Sequence, residues 1–210
     1  MLFYYERISY ERNTKEKIIH AFFELALDNP SKSHFSLAEI AQQAGISRQA
    51  IYKKHFNSTE EIIEEVHRIL YSEFSAVLQT YDRSTIADPF VFFANHFLPV
   101  FYKHRKWIQC FYTTAANPNW IPFFSSILLD FQNEHVSINH DVIQVPKEKV
   151  SQLLVKGIMN LLEIWIVQPE PTPPEQFVQT FLFVIHFPIS SYVARAENPQ
   201  EQLPASLFSE

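Results

Sequence analysis

Residues 47–55, SRQAIYKKH, gather side chains suited to reading a polyanion. An arginine donates two parallel hydrogen bonds to guanine, and a glutamine makes a matching pair with adenine. Arg48 and Gln49 stand together directly after Ser47. Tyr52, Lys53 and Lys54 follow about one helical turn later, where contact with phosphate is the usual task, and His55 closes the group. This spacing is useful on a helix that begins at Ser47. The serine oxygen then caps the first backbone N–H groups, and Arg48 and Gln49 occupy the exposed first turn.

Other chemistries leave little trace. The sequence has no G-x-S-x-G, H-E-x-x-H or P-loop pattern, so neither an activated nucleophile nor a phosphate-cradling loop is expected. Of nine histidines, His135 and His140 lie close together beside Asp141, but at a helix end and loop, and they read as solvated side chains. No metal and no cofactor is expected. A single cysteine, Cys110, reads as a small buried hydrophobe; it excludes a disulfide framework and fits a reducing compartment, the cytoplasm. The opening residues MLFYYERISYER carry charges too early for a secretory signal, and no run approaches the ~18 apolar residues of a membrane span. An all-helical enzyme is the alternative from a different class.

The elements that must position SRQ are legible around it. Asn13 marks the expected start of a helix from Thr14 to about Leu27, with Ile18, Ile19, Phe22, Phe23, Ala26 and Leu27 on one face. DNPSKSH breaks it. Ser36 and Glu39 have the spacing of a capping box and open a short helix. Gly45 ends it, where a left-handed backbone would strain any other residue. Only two glycines occur in 210 residues, which favours helices over tightly turned sheets. Ser58 and Glu61 have the spacing of a second capping box, opening one long helix to about Tyr81. The fold class is all-α with about nine helices. Residues 1–57 form an N-terminal arm and a three-helix, helix-turn-helix DNA-binding domain. Residues 58–210 form a helical ligand-binding and dimerisation domain, with 58–81 as the connecting helix. Charge follows this division. Residues 1–57 carry +2 and the remainder −8, within a net charge of −6, so a mildly basic head sits on an acidic body and suits an anionic partner.

FSLAEIAQQAGISRQAIYKKHFNSTEEII resembles the DNA-binding segment of the tetracycline-repressor (TetR) family, and the resemblance extends over about residues 13–80. VKGIMNLLEIWIVQPEPTPPEQFVQTF is similar to the penultimate-helix region of one subgroup of that family. Two departures stand out. The glycine usual before the second helix is replaced within DNPSKSHFS, and YKKHF has two residues between the tyrosine and HF where the family usually has one. On a helical wheel the extra residue displaces Phe56 by about 100°. The resemblance implies a homodimeric transcription factor, usually a repressor, bound to a palindromic operator of double-stranded DNA. Ser36, Ser47, Arg48, Gln49 and Tyr52 carry over directly as DNA-binding residues. Lys53, Lys54 and His55 fall on the departure. The family further implies a small-molecule effector that shifts the long fourth helix, and a four-helix dimer interface built by the last two helices. A member that has lost DNA binding and acts through protein contacts is the second alternative.

The body supplies candidates for those roles. A stripe of Val150, Leu153, Leu154, Ile158, Leu161, Leu162 and Trp165, with Gly157 inside it, exceeds what one packed face needs, and Phe177, Phe181, Val184 and Ile185 supply a facing stripe. These two helices are expected to form the dimer interface, through Leu154, Gly157, Ile158, Leu161, Trp165, Phe177, Phe181, Val184 and Ile185. Aromatic stripes suggest an apolar effector cavity walled by Phe93, Phe97, Phe101, Trp107, Phe111, Trp120, Phe124 and Phe131, with His96 and Tyr112 as polar groups. Pro99 is expected to kink or divide its helix. SINHDVIQVP is expected as a loop, and the last helix is expected to reach about Ala196, bent near Pro188.

Overall fold

A computed structural model describes residues 2–137 and 145–187, with side chains from Thr14 onward. Residues 138–144 of the expected loop SINHDVIQVP, with His140 and Asp141, lie outside the described residues, as do Pro188 and the tail. Among the described residues all regular structure is helical. The head consists of α1 (Leu2–Asp28), α2 (Leu37–Ala44) and α3 (Arg48–Lys54), and α4 (Thr59–Leu78) leads into the body. In the body, α5 runs through Pro89–Phe92, a π-helical turn Phe93–Phe97 and Leu98–Lys103. It is followed by α6 (Arg105–Thr113), α7 (Trp120–His135), α8 (Lys147–Ile166) and α9 (Pro174–His186).

Two boundaries differ from the local signals. α1 starts at Leu2 and passes through Asn13, because a cap-forming residue is tolerated inside a helix that has other reasons to continue. α9 stops at His186, and Phe187 is extended (φ −110°, ψ 142°). The ring of the following proline disfavours the helical conformation at the residue before it.

Pro99 acts upstream of itself. It has no N–H to donate, and its ring crowds the carbonyl one turn back. The helix accommodates this by widening, and the Leu98 N–H bonds to the Phe93 carbonyl, five residues back.

The core of the body is a continuous chain of rings. Phe74 of α4 meets Phe97 at 4.9 Å, Phe101 meets Phe124 at 5.3 Å, and Trp120 stacks on Phe124 at 5.2 Å. Trp165 stacks on Phe177 at 4.2 Å, and Phe93 on Phe181 at 5.5 Å. Phe93, Phe97, Phe101, Trp120 and Phe124, expected around an effector, are buried against one another. Ile158, Trp165, Phe177 and Phe181, expected at the dimer interface, are buried within their own chain. Leu154, Leu161, Val184 and Ile185 are half-buried, and Gly157 is exposed.

Head and body are joined at several points. Thr59 donates its hydroxyl proton to the Phe35 carbonyl. Lys15 of α1 pairs with Glu65 of α4 at 2.7 Å, while Arg68 grips the same carboxylate through two nitrogens at 2.7 and 2.8 Å. Phe23 of α1 stacks on Trp107 at 5.7 Å and meets Phe111 at 5.2 Å. Trp107 and Phe111, expected to wall the effector cavity, therefore hold the head against α6. The Ala115 N–H donates to the Pro30 carbonyl at 2.7 Å, tying the α6–α7 corner to the loop between α1 and α2.

The same corner holds a titratable group. His67 of α4 lies flat on Phe123 at 4.0 Å, and its Nε2 accepts a hydrogen bond from the Asn117 side chain at 2.7 Å. The ring proton then belongs on Nδ1. Burial pulls the His67 pKa from 6.5 down to about 4. The unfolded chain therefore binds the proton first, and folding stability falls as pH drops from about 6.5 towards 4. The expected loss is roughly 2–3 kcal/mol once partial solvent screening is allowed for. Below that range Glu65, held to about 2 by Arg68 and then Lys15, continues the decline as it protonates. Denaturant titrations across pH should show His67→Phe losing the upper part of this slope; an unchanged slope would refute the assignment.

Candidate nucleic-acid interface

Three caps position α3 and the side chains expected to read DNA. Ser36 and Glu39 form a full capping box: the Glu39 N–H donates to Ser36 Oγ at 3.3 Å, and the Ser36 N–H donates to Glu39 Oε2 at 2.9 Å. Lys32 also pairs with Glu39, and together with the Ser36 N–H it holds the carboxyl down at about 2. At the other end of α2, Gly45 is left-handed (φ 65°, ψ 31°). Its N–H reaches the Gln42 carbonyl at 3.2 Å, while the Ile46 N–H reaches the Ala41 carbonyl at 3.0 Å. This pair of bonds satisfies the last carbonyls of α2 and reverses the chain within three residues. Ser47 then caps α3, its Oγ accepting the Ala50 N–H at 3.1 Å.

Buried Ile51 fixes the rotation of α3. With Ile51 inward, Arg48, Gln49, Tyr52, Lys53 and Lys54 are all exposed. The Arg48 guanidinium lies 5.3 Å from the centre of the Tyr52 ring, a cation–π arrangement. Ser47, Gln49, Lys53, Lys54 and His55 border one cleft of about 310 Å³, closed on the α1 side by Thr14. Ser36 stands apart, exposed at the start of α2.

The extra residue of YKKHF is absorbed at the end of α3. The Ile51 carbonyl accepts both the His55 N–H at 2.9 Å and the Phe56 N–H at 3.2 Å, and His55 leaves the helix (φ −128°, ψ −64°). The wider last turn swings Phe56 back into the core, where it is 3% exposed. The α3–α4 junction takes up the change, and Arg48, Gln49 and Tyr52 stay exposed on α3. The second capping box is altered in a related way. Ser58 Oγ accepts the Glu61 N–H at 3.3 Å, but Glu61 reaches back to the Asn57 N–H, at 2.7 Å, instead of that of Ser58.

Two expected polar groups of the body fall in different places. His96 is exposed and stacks on Phe92 at 4.8 Å. Tyr112 turns inward; its hydroxyl is buried without a hydrogen-bond partner, and that burial pushes its pKa up. Phe131 borders a small cavity between α4 and α7. Among the described residues no three His, Cys, Asp or Glu side chains converge on a metal-sized site, and no helix is long and apolar enough to cross a membrane. Sequence reasoning missed His67 and Asn117. A lone histidine on a mostly apolar helix face gives no signal of the corner it contacts.

Residues 33–66 match the sequence profile of bacterial regulatory proteins, tetR family. The match takes in α2, α3 and the first turns of α4. No curated protein matches the chain. Among solved structures, the fold is similar to that of a TetR transcriptional regulator from Streptococcus agalactiae 2603V, with a TM-score of 0.53 and 17% identity. The similarity covers 85% of this chain and 97% of that one. The capped helix-turn-helix and the start of α4 thus carry the sequence of bacterial regulatory proteins of the tetR family over residues 33–66, and the chain as a whole shares the fold of a TetR transcriptional regulator.

Proposed function

We propose that the chain is a cytoplasmic, sequence-specific DNA-binding transcription regulator that represses from a palindromic operator as a homodimer. Family members are transcription regulators and not enzymes. The observation that carries the reading is the exposed Ser47-Arg48-Gln49 edge on a helix whose approach is fixed by Gly45 and whose rotation is fixed by Ile51. A side chain on that edge meets bases, and the lysines behind it meet phosphates. Selection of bound sequences from a random DNA pool tests the proposal; a two-fold symmetric motif supports it, and a pool that stays random sinks it. Within such a motif, Arg48→Ala is expected to lose roughly 1–3 kcal/mol and to relax preference at one base pair per half-site, as measured by binding to single-base operator variants.

A second copy of the chain is supported by the outer face of α8 and α9. Leu153 is 72% exposed, Ile164 66% and Phe187 52%. Gly157 lies between the first two, and a Cβ placed there meets nothing within 4 Å. A mid-helix glycine destabilises by about 1 kcal/mol, and the chain's own packing gives no reason for it. Close approach of a partner helix does. Half-buried Leu154, Leu161, Val184 and Ile185 border this face. The effector is read as a small, largely apolar molecule that enters the aromatic body and biases α4. It acts only through different affinities for the operator-competent and released arrangements.

A further inference from the structure

We propose that the cavity between the C-terminal end of α4 and α7 binds an organic cation with a trimethylammonium-like head. This rests on the effector reading above and narrows it to a largely apolar molecule bearing one positive charge. The cavity holds about 210 Å³. Tyr71, Tyr81 and Phe131 contribute rings to its walls, and ring faces attract a poorly hydrated cation through their quadrupoles. Asp130 and Glu134 border it from α7, and no lysine or arginine does. His135 completes the wall, its ring 4.8 Å from that of Tyr81 and 3.7 Å from the Glu134 carboxylate.

A separate source of negative potential comes from the backbone. α4 ends at Leu78, and Ser75, Leu78 and Gln79 of its last turn line the cavity. The last carbonyls of a helix carry about half a negative charge, which favours a nearby cation; at this end the Val77 and Leu78 carbonyls also accept the Thr80 and Tyr81 N–H groups. The last turn of α4 contains no basic residue. Rings, carboxylates and helix end thus favour the same occupant. A neutral apolar molecule would gain nothing from the two carboxylates, and an anion would be repelled by them. Because one wall is α4, which Glu65 ties to α1, an occupant here presses on the element that carries the head.

Calorimetric titration of the full-length protein with benzyltrimethylammonium, choline and neohexanol (the uncharged carbon isostere of choline) tests this. The two cations are expected to bind and neohexanol not to bind. Asp130→Asn with Glu134→Gln should weaken the cations at least tenfold, and both side chains are exposed, so thermal stability without ligand should hold. Tyr71→Ala, also at an exposed position, should weaken them severalfold. Equal binding of choline and neohexanol, unchanged affinity in the carboxylate variant, or no binding at millimolar cation would each overturn the proposal. Release of selected DNA is read separately. Cation binding without release keeps the site and removes its effector role, whereas failure of DNA selection with intact cation binding overturns the regulator reading alone.

Discussion

Leu153→Glu combined with Ile164→Glu should convert the protein to a monomer at micromolar concentration and abolish operator binding while leaving each chain folded. Both residues lie on the outer face of α8 and are mostly exposed within the chain, so charge there does not disturb the ring core. In a two-fold interface each position counts twice. Four aliphatic side chains leave the interface, each worth roughly 1.5–3 kcal/mol on full burial. A loss of at least about 6 kcal/mol corresponds to roughly four decades in dimer affinity, before the desolvation of four carboxylates is added. Sedimentation and operator binding read the two consequences. A variant that still sediments as a dimer would place the interface elsewhere.

The second large effect is expected from Phe56→Ala, at about 3–5 kcal/mol of stability. Phe56 is buried where the chain turns from α3 into α4, and Lys15 of α1 sits 5.5 Å over its ring. Removing the ring leaves a hole under the recognition helix. Hydrogen exchange should show loss of protection in α1–α3 first, and denaturant titration should give the magnitude. Protection lost evenly across the body would show that Phe56 does not anchor the head.

These two cases also mark where the sequence is informative. The caps at Ser36, Gly45 and Ser47 were legible because each is decided by a few consecutive residues. The all-α fold was legible from periodicity and from the scarcity of glycine. The outward side of α8 was not singled out, because the helix is apolar on two faces. Val155, Ile158, Leu162 and Trp165 point inward, while Leu153 and Ile164 point outward, and periodicity alone does not rank them. The ring stripes of α5 and α7 gave the helix faces correctly, but whether rings surround a space or fill it depends on their partners across the fold. The place of Phe56 was hidden for a different reason. A helical wheel assumes an unbroken helix, and one wide turn at Ile51 cancels the displacement.

The contacts between head and body have a consequence for cooperativity. Cutting the chain after residue 57 would remove Glu65 from Lys15, Trp107 from Phe23 and the Ala115 N–H from the Pro30 carbonyl at one stroke. The division expected at residue 57 is therefore crossed by packing contacts on both sides. The small head leans on the aromatic body, so heating should unfold the two in one transition, even where α1–α3 open locally first.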